Sequence, residues 1–213
     1  MTIAPNGAIL YTYFIERIKM ANTDVMIDLE TLDVLPTATI LTIGAVKFDP
    51  FGDEASDPRM EKLYIKVDVD SCDRIGATVS TATLDWWAGQ SAEAQSAAFD
   101  PTDRISIEEA MTKLYKFCWG GQRVWSHGVG FDLIILEWYF RRIEKAIPWS
   151  FWEMRDTRTL FDIGINPNRA AVTAHNALAD AVDQAQGVQK IYRTLRSSTM
   201  SDGAYINPLA KQR

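Results

Sequence analysis

DVMIDLE, Asp24 to Glu30, begins with the apolar run of a buried strand and then sets Asp28 and Glu30 among its apolar residues; side chains along a strand alternate faces, so Ile27 and Leu29 face one side while Asp28 and Glu30 face the other. A second strand is predicted over ATILTIGAVKF, Ala38 to Phe48. The turn-rich PFGDEASDPR, Pro50 to Arg59, leads to a third, EKLYIKVDV, and the three together predict a meander. The period then changes. TATLDWWAGQSAEAQSAAF, Thr81 to Phe99, predicts short helices, with Trp86 and Trp87 in the core or at a cleft rim. Ile107, Ala110, Met111, Leu114 and Phe117 recur at helical spacing, with Ser106 placed to cap at Glu109 and the pair Gly120 and Gly121 to end the helix. QRVWS follows as a fourth strand, and GFDLIILEWYFRRIEKA as a helix with Asp132 in its first turn, where the helix dipole favours a carboxylate. WSFWEMRDTRTLFDIG supplies a fifth strand and a short helix, and a last helix runs from about Asn176 to Leu195. This order predicts a mixed α/β sheet covered by helices.

At 213 residues and 47% hydrophobic content, one domain with a sizeable core is expected. The net charge of −6 argues against attachment to nucleic acid or an anionic membrane by bulk positive potential. It excludes no phosphate substrate whose charge is met by metal ions. Cys72 and Cys118 stand far apart without CxxC spacing, which predicts two free thiols rather than a disulfide framework or zinc knuckle. AILYTYFI, Ala8 to Ile15, is too short for a membrane span and has no basic segment before it. Residues 1–19 are expected to be either a loose N-terminal arm or an upstream extension ahead of a natural start at Met20, with 20–200 the single domain and 201–213 a C-terminal tail. An apolar arm of this kind could join the interface of a homodimer.

Two carboxylates on one face repel and raise each other's pKa unless a cation or a donor compensates. A hard divalent cation such as Mg²⁺, with its preference for oxygen ligands, is the commonest physical solution. A solvated strand end is the competing reading of an isolated DxE. The last helix adds a second observation. At about 100° per residue, Leu178, Ala181, Val182, Ala185, Val188, Tyr192 and Leu195 form one apolar stripe. Asp183 falls nearly opposite it and is expected in solvent, whereas Asp180 falls at its edge with Ala177, Gln184 and Gly187. His175, one of two histidines, precedes or opens this helix within reach of the region beside Asp180. A neutral imidazole there is suited to general-base work near pH 7, and a cap or packed side chain is the alternative.

IDLET at 27–31, HGVGFD at 127–132 and HNALAD at 175–180 resemble, in order and separation, the three motifs of the DEDDh 3'-to-5' exonucleases, and the resemblance extends from Asp24 to about Leu195. TLDWWAGQSAEA and SHGVGFD are most similar to the stand-alone exoribonuclease branch of phages and bacteria, including the phage DexA-type enzymes. The resemblance implies a ribonuclease H-like fold, a mixed five-stranded sheet flanked by helices. It also implies two divalent ions, Mg²⁺ or Mn²⁺, bound by Asp28, Glu30, Asp132 and Asp180, with His175 as general base. The implied substrate is single-stranded or 3'-overhang RNA or DNA, RNA favoured, cut to nucleoside 5'-monophosphates in the cytoplasm, or the host cytoplasm for a phage protein. Thr31 and Leu32 would receive the terminal sugar and base, and Trp86, Trp87 and Phe131 are candidates for base stacking.

His127 is either a substrate contact or a hydrogen-bonded residue at a strand end. Gly128 departs from the proofreading type of the family, which has an Asn four residues before the motif aspartate, so contacts to the penultimate nucleotide are expected to differ. Asp156 is expected either to support the site, by orienting a helix or a neighbouring side chain, or to cap a helix. Arg141, Arg142, Lys145, Arg155 and Arg158 either meet phosphates or face water. Two other functions stay open: a catalytically inactive nucleic-acid-binding module, which would be expected to lose some of the five residues kept here, and a metal-dependent endonuclease, which would not need the HNALAD form.

Overall fold

A computed structural model describes residues 23–52, 60–165 and 175–199. The expectations for residues 1–19, the Met20 start and the 201–213 tail lie outside the described residues.

The segment from Asp24 forms β1 (Asp24–Thr31) at the centre of a five-stranded sheet of order β3-β2-β1-β4-β5. β2 (Ile40–Phe48) pairs antiparallel with β1, and β3 (Glu61–Lys66) antiparallel with β2, which gives the expected meander. β4 (Arg123–Ser126) and β5 (Met154–Asp156) continue the sheet in parallel with β1. The third strand is shorter than its apolar run. Val67 makes a single bridge to Ile105, and Asp68 accepts a hydrogen bond from the Asp70 amide to cap α1 (Val69–Asp73), which turns the chain out of the sheet.

Helices α2 (Thr81–Ala88) and α3 (Ala92–Phe99) fill the segment with the paired tryptophans. α4 (Ile107–Cys118) and α5 (Asp132–Arg142) bury their apolar faces against Val25, Ile27 and Leu29 in one core. Each such side chain taken fully out of water contributes about 1.5–3 kcal/mol. Ser106 caps α4 through the Glu109 amide at 3.3 Å, and Gly120, at φ +81°, follows its end. Met26 points to the opposite face, where Val46, Phe48 and Trp125 meet Ala181, Ala185 and Val188 of the long helix α7 (Ala177–Thr199). A short α6 (Thr157–Phe161) follows β5. No helix among the described residues is long and apolar enough to cross a membrane, and both cysteines are buried free thiols.

α7 begins in contact with the sheet at Gly44. A Cβ on Gly44 would lie 2.1 Å from the carbonyl carbon and oxygen of Ala177, so only glycine lets the helix start this close. Gly44 pairs with Asp28 across the β1–β2 ladder. The close approach therefore sets the first turn of α7, and Asp180 with it, beside Asp28. The helix also packs against α6, so the arc it buries is wider than the apolar stripe. Asp183, expected in solvent, is buried at 4% exposure, while Leu195, inside the stripe but near the helix end, is 39% exposed.

Candidate active site

The even-numbered face of β1 carries its carboxylates toward α7. Asp28, Glu30 and Asp180 each place a carboxylate oxygen within 4.8 Å of the others. Asp132, at the start of α5, lines the same cavity of about 380 Å³ with Leu29, His127, Phe131, Arg158, His175 and Gln184. It stands outside the tight cluster of three, and its Oδ1 accepts a hydrogen bond from the Leu29 amide at 3.1 Å, which ties the first turn of α5 to the end of β1. The four acids and His175 are thus brought to one cleft.

Asp180 is oriented by the entry of its own helix. Its Oδ2 accepts from the amides of His175 and Asn176, both at 3.1 Å, while Asn176 caps the Ala179 amide at 3.0 Å. His175 adopts φ +70°, a left-handed conformation that costs a non-glycine residue of order 1 kcal/mol or more. Its ring meets Trp86 edge to face at 4.7 Å between centroids, and Trp87 at 6.1 Å. Gln184, one helical turn after Asp180, donates from Nε2 to Asp28 Oδ1 at 2.7 Å, and its Oε1 is buried with no hydrogen-bond partner among the described residues. The sequence placed Gln184 on the edge shared with Asp180 but assigned it no role. The i,i+4 spacing was the signal.

The electrostatics follow from enclosure. Burial pushes Asp28 well above the ordinary aspartate range, and the charges of Asp132, Glu30 and Asp180 add to it against the Gln184 hydrogen bond. Burial, then Asp180 and Asp132, pushes Glu30 up to about 8. Asp132 is pushed up to about 7 by burial, opposed by backbone amides and by the positive charge of Arg158. No described Lys or Arg forms an ion pair with Asp28, Glu30 or Asp132. An all-oxygen donor set with uncompensated negative charge fits hard divalent cations, and Asp28, Glu30 and Asp180 are the residues whose oxygens converge closely enough to share one.

An apolar slot of about 420 Å³ opens directly from Leu29, Glu30 and Thr31, walled by Val34, Trp86, Trp87 and Phe131 and edged by Asp33, Ser80 and Thr83. Thr31 and Phe131 line it. Trp87 is buried at 2% and donates its indole N–H to the Thr31 carbonyl at 2.9 Å, whereas Trp86 is 45% exposed, so the paired tryptophans divide between core and rim. Leu32 does not line the slot. A register shift after Glu30 breaks the alternation of β1, and the Leu32 side chain drops into the small core with Leu41, Ala94 and Ala98.

His127 lines the acidic cavity from the end of β4, its Nδ1 2.8 Å from the Thr157 hydroxyl. Asp156 is a helix cap, and its second oxygen holds a loop. Oδ1 caps α6 at the Arg158 amide (2.8 Å), and Oδ2 accepts from the Val129 amide (3.1 Å), holding the 127–131 loop. Of the basic residues, Arg158 lines the cavity. Arg141 pairs with Glu137, Arg142 donates to the Ile75 carbonyl and Arg155 to the carbonyls of Trp152 and Met154.

The profile of the family described as the 3'-5' exoribonuclease Rv2179c-like domain matches residues 23–192. An exodeoxyribonuclease of Enterobacteria phage T4 is 27% identical over 159 residues, covering 64% of this chain and 69% of that protein. The structure is similar to that of S. pombe Pop2p in its Mg²⁺- and Mn²⁺-bound form, with a TM-score of 0.53, 12% identity and 92% of each chain covered, a likeness of fold.

Proposed function

Because the chain belongs to the 3'-5' exoribonuclease Rv2179c-like family, DEDDh exonucleases of the ribonuclease H-like superfamily, we propose that its acidic cleft removes single nucleotides from the 3' end of a single-stranded or 3'-overhanging nucleic acid. The observation that carries this reading is the junction of two spaces. A cluster of carboxylates, Glu30 buried and Asp28 and Asp180 half-buried, meets, at Glu30 and Thr31, a slot of about 420 Å³ rimmed by Trp86 and Phe131. That slot is large enough for one nucleoside and apolar enough to stack a base of any identity.

Asp28, Glu30, Asp132 and Asp180 would hold two divalent cations, Mg²⁺ or Mn²⁺. When bound, these would supply the positive charge that stabilises both the attacking and the leaving oxygen of an in-line displacement at phosphorus. The chain's own residues do the rest. The slot seats the terminal nucleoside, so that the last phosphodiester lies over the carboxylates. His175 accepts a proton from the attacking water. The new P–O bond forms as the bond to the penultimate 3' oxygen breaks, and that oxygen takes up a proton. The products are a nucleoside 5'-monophosphate and a chain one residue shorter with a free 3' hydroxyl. The left-handed backbone of His175 and its edge contact with Trp86 fix the ring beside the slot.

RNA is the substrate we favour, on the family's description, and the name of the phage relative makes DNA its direct comparator. Matched 5'-labelled RNA and DNA strands, with free and blocked 3' ends, test the reading in Mg²⁺, Mn²⁺ and EDTA. A stepwise ladder from the free end that disappears in EDTA is expected, faster on RNA. Internal cuts on the blocked strand would show an endonuclease, and binding without any cleavage an inactive module.

A further inference from the structure

Gly128 stands where the proofreading type carries Asn, and the structure shows what fills the space. Gly128 has φ +117°, and a Cβ on it would come 3.2 Å from Nε of Arg158 and 3.6 Å from its Cζ and one Nη. The guanidinium therefore lies across the bare glycine backbone. Its Nε donates to the His127 carbonyl at 3.0 Å. The arginine's own backbone is held by Asp156, which also fixes the Val129 amide, and the Thr157 hydroxyl donates to the Ser126 carbonyl at 3.2 Å. The carboxyl ends of the parallel strands β4 and β5 are thus tied together beneath one arginine.

Arg158 lies on a boundary. It and His127 line both the acidic cavity and a neighbouring open depression of about 490 Å³ with Thr159, Phe161 and Asp162. Among the described residues it is the Lys or Arg that lines either space. Its terminal nitrogens make no hydrogen bond or ion pair with a described residue, although the cleft beside it holds four carboxylates. A guanidinium braced through Nε alone keeps its two-nitrogen fork for a ligand, and that fork matches phosphate oxygens in a bidentate fashion.

We propose that Arg158, admitted by Gly128, grips the backbone phosphate on the 5' side of the scissile one and leads the penultimate nucleotide into the depression formed by His127, Thr159 and Phe161. The assignment rests on the 3' exonuclease reading above and adds the residue that positions the strand behind the cut. A strand leaving the slot over the carboxylates crosses this boundary, and no other described cation is there to neutralise it.

Labelled oligonucleotides carrying one uncharged methylphosphonate at that linkage test it, with a 2'-deoxy sugar before the linkage and the same sugar in the all-phosphate control. With wild-type enzyme and Mg²⁺, the methylphosphonate is expected to raise KM about tenfold. Arg158→Ala is expected to raise KM about tenfold on the control, with most of the loss in KM rather than kcat, and to be indifferent to the methylphosphonate. The slope of log(kcat/KM) against log[salt] should become shallower by about 0.7, one single-strand phosphate contact. Arg158→Lys, which keeps the charge but loses the Nε brace, should recover part of the affinity and part of the methylphosphonate sensitivity. Independent, multiplying effects of the variant and the methylphosphonate would overturn the proposal, and so would an unchanged KM. A normal ladder with multiplying effects removes Arg158 alone, whereas no 3' ladder from wild-type enzyme removes the reading on which it rests.

Discussion

At its amino end β1 buries Asp24, and four residues later, on the same face, it carries Asp28. Asp24 is fully enclosed, yet it is met by the Arg123 guanidinium at 2.8 Å, the Trp125 indole at 2.6 Å and the Thr23 hydroxyl at 2.9 Å. Burial raises its pKa, and Arg123 and the hydrogen bonds oppose the rise. Asp28 receives one amide hydrogen bond, from Gln184, and faces three further carboxylates. Burial of charge is common to both ends. What differs is whether protein groups complete the charge, and the end left incomplete is the one beside a cleft. Asp24 ties β1 to β4, while Asp28 presents negative charge to whatever enters.

Substituting the two aspartates separates these roles. Asp28→Asn should lower activity on 3' ends by at least about a thousandfold, since a metal-held charge is worth several kcal/mol in the transition state. In EDTA its melting temperature should equal or exceed that of the wild type, because the repulsion is relieved. Asp24→Asn should do the reverse, costing about 3 kcal/mol of stability by leaving the largely enclosed Arg123 without its ion-pair partner, while the folded fraction retains its kcat. Equal loss of stability in both variants, by thermal unfolding in EDTA, would erase the contrast.

Smaller effects sharpen it. His175→Ala should cost about 10²–10⁴-fold in rate near neutral pH and still bind Mn²⁺. An unchanged pH–rate profile would assign the base elsewhere. Gln184→Ala should weaken cation affinity by about 10–100-fold, because the Asp28 carboxylate loses the amide that orients it, and a Mn²⁺ titration reads this directly.

The smallest effect is a pH slope. Glu30, Asp28 and Asp132 have folded-state pKa values above those of the unfolded chain. Between about pH 4, where unfolded carboxyls titrate, and about 8, where Glu30 does, the folded state binds more protons than the unfolded one. These groups therefore make cation-free stability fall as pH rises through that window. Melting in EDTA at successive pH values should show the fall, and Asp28→Asn should flatten it.

Much of this contrast was legible in the chain. Alternation along DVMIDLE put Asp28 and Glu30 on one face, and the helical angle put Asp180 at the margin of the buried arc. Convergence with Asp132 was carried by motif resemblance, because local periods cannot say that the Leu29 amide will hold a side chain 103 residues away. Leu32 lies in the small core rather than along the slot because the register shift after Glu30 ends the alternation, and Asp183 is buried where a single apolar stripe predicts solvent. Arg158 was not distinguishable from other cations, since its setting depends on a positive φ at Gly128 that no hydrophobic pattern encodes.

Calorimetric titration of Mn²⁺ into the protein at pH 7, in buffers of different ionisation enthalpy, tests the central claim most directly. Binding should be accompanied by net proton release, because without the cation burial and the neighbouring carboxylates push Glu30 up to about 8 and Asp28 well above the ordinary aspartate range, and Asp28→Asn should abolish or severely weaken it. Absence of binding, or equal binding and proton release in the Asp28→Asn variant, would contradict the view that divalent cations complete the charge at the carboxyl end of β1.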